Sequence, residues 1–439
     1  MTRFGLYAWM TFALLATPAL CYAQADETDP AAGEAAAHDH DCLWHRDQLS
    51  DGWLDILDQV REKGFDSALT ITSVYQQNVR GGQSTHRKAG RYSGVAELEL
   101  QLDFDKLGWV PGGRTYALAA GSWSDGIDSP SVGSLFNVNS VAAGDRAIDL
   151  LELWYEQRLL EGRVRIRAGK IDMTGGTGGF GDEPSVWFDA NAYANDPGMQ
   201  FLNGGLVNNP QIPFPEQGLG AIMRLAPLET LVDRAFYILL GVADAQADRR
   251  TTGFTSAFAR DTRVMAMAEL GFTPTFNSTD AGPMPGGYRV GVWFDPQPKE
   301  RFNGRGVKRN DAGLYVNADQ MIFKENNDKD DSQGLGVFAR YGLADGDVNP
   351  IRHFWSVGLQ YQGLLPTRDD DVIGVGIANG HLSGDADFRR SRETAVELYY
   401  NIQFAPWLML TPSIQHITHP GGGASKDALV VGARLQVVF

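Results

Sequence analysis

The amino-acid sequence predicts an all-β fold, one transmembrane antiparallel β-barrel preceded by a short helix. Three observations carry that prediction. Several segments alternate between apolar and polar or charged residues with the two-residue period of a strand, so one face is greasy and the other largely charged. Tight turns mix with long polar, Gly-rich excursions, the pattern of a barrel that crosses an outer membrane. No repeat, Pro/Ser linker or break in composition divides the 439 residues into smaller domains.

Along the chain, residues 1–25 place Arg3 ahead of an apolar stretch that ends in Ala23-Gln24-Ala25, the small-x-small pattern of a secretory signal, and are set aside from the fold. Cys21 follows Pro18 and Leu20 where a lipid-anchor signal wants a Leu and then a small residue. Removing the signal leaves Cys42 alone, so no internal disulfide is expected. Residues 26–48 form a short acidic lead. Its His38, His40, Cys42 and His45 can be read as metal ligands or as incidental residues of an unstructured segment; no metal and no cofactor are expected. Residues 49–439 form a single domain. In "DGWLDILDQVREKG", Trp53, Leu54, Ile56, Leu57 and Val60 make an apolar stripe and Gly64 a stop, which predicts a helix over about 51–63 that caps the barrel or gates it. The barrel begins near residue 67.

A net charge of −16 argues against a nucleic-acid partner. Past the signal, the longest mostly apolar run is residues 235–245, far short of the roughly 20 residues a spanning helix needs. Barrel strands need only about 9 to 11 residues each.

The strands follow from parity. In "VAELELQLDFDKL", Leu98, Leu100, Leu102 and Phe104 alternate with Glu97, Glu99, Gln101, Asp103 and Asp105. Residues 150–169 read as a hairpin turning at Glu161-Gly162, with Leu151, Leu153 and Tyr155 on one face and Glu152, Trp154, Glu156 and Arg158 on the other; the return strand sets Arg165 and Arg167 against Val164, Ile166 and Ala168. Further on, Tyr288, Val290, Val292 and Phe294 oppose Arg289, Gly291, Trp293 and Asp295, and Val396, Leu398, Tyr400, Ile402 and Phe404 oppose Glu397, Tyr399, Asn401 and Gln403. Trp355 shares parity with Val357, Leu359 and Tyr361 and belongs to an outer girdle. Long excursions are expected at 81–91, 122–147, 172–217, 295–312, 324–333 and 379–393, and the 51 glycines suit bends and turns. The closing "GARLQVVF" is strand-like to its end, as a barrel requires if its last strand pairs with its first. Phe439 is expected to face lipid and to be recognised by the outer-membrane assembly machinery.

The blocks "LSDGWLDILDQVREKGF", "LLELWYEQ" with "VRIRAGK", "GGYRVGVWFD", "GLYVNADQ", "GLGVFARYG", "GLLPTRDDDVIGVGIA", "ETAVELYYNIQFAPWLMLTPSIQHITHPGG" and "ALVVGARLQVVF" resemble the bacterial carbohydrate-selective porins of the OprB family, from about residue 49 to the end. The resemblance implies sixteen strands, a short helix ahead of them, loops folded inward to narrow the bore, and passive uptake of sugars across the Gram-negative outer membrane, amid its lipid and lipopolysaccharide. Sixteen strands of about 10 residues take about 160 positions, which residues 67–439 accommodate, though fourteen or eighteen would also fit.

Sugars need aromatic faces to stack on and groups that exchange hydrogen bonds with hydroxyls. By parity the lumen holds Glu97, Glu99, Glu152, Glu156, Glu269 and Glu397, with Arg165, Arg167, Arg289 and Arg340 and the indoles of Trp154 and Trp293. These charges either contact solute or pair with one another and set only bore and ion preference. Residues 185–209, with Trp187, Phe188, Asn191 and Tyr193, are the expected constriction loop, the alternative being a surface loop packed on lipopolysaccharide. A catalytic role is not expected: G-x-S-x-G and H-E-x-x-H are absent, and His353, His381, His416 and His419 form no partner pattern. A porin for sugar acids is the nearer rival, since arginines serve carboxylates equally well. Oligomeric state and the particular sugar stay open.

Overall fold

The computed structural model describes residues 43–51, 60–174, 187–226, 236–248, 254–278, 282–328 and 331–439. Among the described residues, sixteen antiparallel strands close into one barrel: β1 (Phe65–Gly82), β2 (Gly90–Asp103), β3 (Gly113–Trp123), β4 (Arg146–Leu159), β5 (Val164–Ile171), β6 (Gly218–Leu225), β7 (Phe236–Asp244), β8 (Val264–Phe272), β9 (Gly282–Asp295), β10 (Asp311–Lys324), β11 (Gly334–Ala344), β12 (Ile351–Gln362), β13 (Val372–Leu382), β14 (Arg392–Ala405), β15 (Leu408–Thr418) and β16 (Lys426–Val438). Each pairs with its neighbours in sequence, and β16 returns to β1 in a register running from Thr70↔Val438 to Gly82↔Lys426. A four-residue strand, Thr275–Ser278, continues β8 beyond Pro274 and pairs with the start of β9. Closure leaves no unpaired edge, which lipid would penalise heavily.

Parity decides the faces as expected. Leu98, Leu100, Val290, Val292, Leu398 and Trp355 are exposed on the outside, while Glu152, Arg167, Trp293 and Glu397 on alternate positions are buried inside. The exception is Leu151. A bulge shifts the β3–β4 register between Leu118↔Glu152 and Ala119↔Leu150, so Leu150 faces outward and Leu151 borders the interior cavity, reversing the face that straight alternation gives it. The turn at 160–163 has Leu160, Glu161 and Gly162 all at positive φ, as a tight hairpin turn demands. One excursion falls on the other end from that expected: strand order puts 324–333, between β10 and β11, with the short turns, whereas the segments after β3, β5, β7 and β9 share the long-loop end.

The expected helix over 51–63 lies largely outside the described residues; its last turn, 60–62, is helical. Around it the chain straps the barrel seam. The Leu49 amide donates to the Val438 carbonyl at 2.8 Å, Trp407 Nε1 donates to the Leu43 carbonyl at 2.8 Å, and Trp44 stacks on Trp407.

The interior is not an open tube. Two loops fold into it, 124–145 and the described part of 172–217, and bring Ile127, Val132, Phe136, Phe188, Phe201 and Leu206 to near-complete burial. Glycines on the lumen wall make room for them. A Cβ on Gly241 would meet the Phe188 ring, one on Gly336 the Tyr193 ring, one on Gly376 Phe201 and one on Gly380 Phe136, all at 3.0 Å or less. The same device works across strands, where Tyr237, Tyr315, Trp293, Phe338 and Tyr399 each cover the glycine directly opposite in register: Gly271, Gly291, Gly313, Gly358 and Gly374. Many of the glycines therefore serve as sockets for rings rather than as bends.

Candidate functional site

The larger inward loop leaves β5 and returns at β6, and charged side chains on β8, β11, β14 and β16 hold it by hydrogen bonds. Arg340 on β11 donates to the carbonyls of Leu206 (2.7 Å) and Ala194 (2.6 Å) and to Asn195 Oδ1 (2.8 Å). Glu397 on β14 accepts from the amides of Leu202 and Asn203, and Arg434 on β16 donates to the carbonyls of Pro197 and Gln200. Glu269 on β8 accepts from the Asp189 amide (2.9 Å), Tyr237 Oη (2.9 Å) and Tyr315 Oη (2.7 Å). Asn191 donates to Asn317 Oδ1, and the Tyr193 carbonyl accepts from Gln360. Apart from the two tyrosine bonds that orient Glu269 within the wall, each bond satisfies a loop backbone or amide group that burial would otherwise strand.

The shorter loop is pinned likewise. Glu393 accepts from Ser134 Oγ and from the amides of Leu135 and Gly421, while Gln76 and Gln415 both donate to the Val138 carbonyl. Within this loop, burial pushes the Asp128 carboxyl up to about 7.

What remains between loop and wall is a cavity of about 420 Å³ along β16 and β1–β4. It extends from Thr70 and Val438 toward the turn end to Ser122 and Arg146 at the loop end, and loop residues 195–199 close its other side. A larger concavity of about 800 Å³ is bounded by outward-facing Val292, Phe294 and Leu314, so it belongs to the outer surface near the rim and not to the passage.

The expected lumen residues divide into two groups around this cavity. Glu97, Glu99 and Glu152 line it. Glu152 accepts from Trp154 Nε1 (3.0 Å) and the Asp172 amide, and Glu99 accepts from Tyr116 Oη (3.1 Å). Behind them, Glu156 is fully buried and accepts from Arg114 (2.7 Å), Arg165 (3.1 Å) and Arg167 (3.0 Å). Arg167 Cζ sits 3.7 Å from the Trp154 ring centroid and 5.0 Å from that of Trp187. Trp154 also stacks on Tyr116, leaving its indole 2 % exposed, part of the wall rather than a face turned to the passage. Arg289 is bound to Asp319 and Tyr237, and Trp293 is buried over Gly313. With Glu269, Arg340 and Glu397 bonded from the wall to the loop, and Phe188 buried in the core, these residues shape the passage from outside it.

Parity missed several lining residues. Thr70, Thr72 and Gln436 alternate on β1 and β16 as plainly as the residues that were singled out, but carry no charge to draw notice. Asp149 comes into the cavity through the β4 bulge, which alternation cannot foresee. Asp172 and Asp196 lie on the loop.

Fold and site together define a diffusion channel of the outer membrane, a porin. The family model of the carbohydrate-selective porins, OprB family, matches residues 87–439. Porin B of Pseudomonas aeruginosa is 26 % identical over 427 residues, covering 87 % of this chain and 89 % of that protein, and the putative porin QuiX of Acinetobacter baylyi is 22 % identical, covering 90 % and 94 %. The high-pH structure of Pseudomonas putida OprB superposes with a TM-score of 0.76 at 20 % identity, covering 91 % of this chain and all of that one. The chain belongs to the OprB family of carbohydrate-selective porins, channels of the Gram-negative outer membrane rather than enzymes.

Proposed function

We propose that mono- and small oligosaccharides cross by the one-sided passage along β16 and β1–β4, and that the pinned loop sets its bore. The observation that carries this is the loop's anchorage: Arg340 and Glu397 hold it against β11 and β14, and Arg434 ties residues 197–200 to β16 at the edge of the passage, so solute is confined to a strip of carboxylates, hydroxyls and amides. Such groups exchange hydrogen bonds with successive sugar hydroxyls without binding any one of them tightly, which passage requires. Glu97, Glu99 and Glu152 meet the solute directly. Trp154, Arg165 and Arg167 position Glu152 and Glu156 from behind.

Single-channel conductance in planar bilayers tests it. Added sugars should block ion flow in a concentration-dependent, saturable way. Absence of saturable block by any mono-, di- or trisaccharide would sink the proposal.

A further inference from the structure

We infer that the passage discriminates by charge, admitting uncharged and amine-bearing sugars and turning back sugar acids and sugar phosphates. The inference rests on carbohydrate passage as the function and adds the class of carbohydrate. Two independent arrangements carry it. The cavity wall holds six carboxylates, Glu97, Glu99, Asp149, Glu152, Asp172 and Asp196, against one guanidinium, Arg146, which itself lies 3.8 Å from Asp149. Meanwhile the described arginines that alternation turns into the lumen are directed at protein, Arg224 at the Tyr237 ring, 4.8 Å away, and six others at polar groups. Arg114, Arg165 and Arg167 converge on Glu156, Arg289 is bound to Asp319, and Arg340 and Arg434 donate to loop carbonyls.

The sorting matters more than the totals. A guanidinium that is buried behind the lining and aimed at a protein carboxylate or carbonyl cannot reach an arriving anion, which meets the lining carboxylates first. Carboxylates on the wall of a narrow passage with low-dielectric sides focus their field along it and enrich cations there. A sugar acid would have to shed water and run past this wall, where the described lining offers it one guanidinium, that of Arg146, already beside Asp149. An amine-bearing sugar keeps the hydroxyl contacts and gains the attraction.

The experiment uses the purified full chain in planar bilayers at neutral pH. The zero-current potential across a KCl gradient should give K⁺ over Cl⁻ by roughly tenfold at 0.1 M, the low end of such focusing. The preference should shrink at 1 M, where the Debye length falls from about 10 to about 3 Å. Among glucosamine, glucose and gluconate at equal concentration, block should be strongest with glucosamine and weakest with gluconate. The double substitution Glu97→Gln/Glu99→Gln, and separately Asp149→Asn, should bring the ion ratio toward one. Arg146→Gln should raise it, and Glu161→Gln in the distal turn should leave it unchanged.

A ratio at or below one in the unsubstituted protein overturns the inference, as does gluconate blocking as well as glucose. A clear K⁺ preference with no sugar block overturns carbohydrate passage instead, and leaves the charge sorting supported by the ion ratio alone.

Discussion

At Glu156 one carboxylate serves three guanidinium groups, those of Arg114, Arg165 and Arg167, with Arg158 Nε 3.6 Å away. The cluster sits where β3, β4 and β5 bring Arg114 opposite Glu156 and Glu156 opposite Arg167 in register. The arrangement is asymmetric in its energetics. Losing one of the arginines leaves Glu156 two partners, whereas losing the carboxylate leaves buried cations facing one another. Glu156→Gln, which keeps shape and removes charge, should therefore lower stability by about 3 to 5 kcal/mol, the cost of stripping a buried ion pair of one partner. The check is the urea midpoint of the refolded protein in detergent. Arg158→Gln, at the partly exposed edge of the same cluster, should shift that midpoint far less. An equal shift in both would show that the cluster is not organised around Glu156.

At the scale of the element, the inward loop is held by two kinds of fitting. Hydrogen bonds from loop amides to Glu397 and from Arg340 to loop carbonyls fix its backbone, and ring-in-socket contacts at Gly336 and Gly376 fix Tyr193 and Phe201. Glu397→Ala should remove three backbone contacts and loosen the span around Leu202, widening the passage. Single-channel conductance should rise while the affinity for blocking sugar falls. Gly376→Val should act in the same direction by a different route, since its Cβ would lie 2.8 Å from Leu206 and 3.0 Å from the Phe201 ring. If either substitution leaves conductance unchanged with the barrel intact, the loop does not set the bore. The sequence made part of this legible. The alternation of β2, β4, β5, β9 and β14 marks which residues point inward, and the aromatic content of 185–209 marks a loop with something to bury. The anchors were not legible. By alternation Glu397 and Arg340 read in the same way as the cavity-lining Glu97, because parity gives the face of the sheet and not what the loop later lays over it. The glycines misled for a similar reason: a socket and a bend are written with the same letter.

The whole molecule depends on one non-local pairing, β1 with β16, the most distant segments in sequence that must meet. Sixteen strands could be matched to the chain length only with help from resemblance, since strands here run from 8 residues in β5 to 18 in β1 and no average length sets the count. Closure itself was legible, because the alternation of "GARLQVVF" persists to Phe439, and the structure places that residue's backbone in the seam. Its amide donates to the Leu69 carbonyl at 2.8 Å and its carbonyl accepts from the Leu69 amide at 3.1 Å. Two roles for Phe439 are thus separable, one in pairing and one as the aromatic signal proposed for the assembly machinery. Deleting it removes both. Replacing it by Ala keeps the backbone bonds and removes only the ring. If the ring is a signal, Phe439→Ala should refold from urea into detergent micelles with the yield of the unsubstituted protein, yet accumulate in the outer membrane of growing cells at a small fraction of the normal level. The deletion should fail in both settings, because it also takes two hydrogen bonds from a seam with no neighbour to replace them in lipid. The heat-modifiable band on gels reports folding in each case. Equal membrane levels for Phe439→Ala and the unsubstituted chain would remove the signal and leave Phe439 a pairing residue alone.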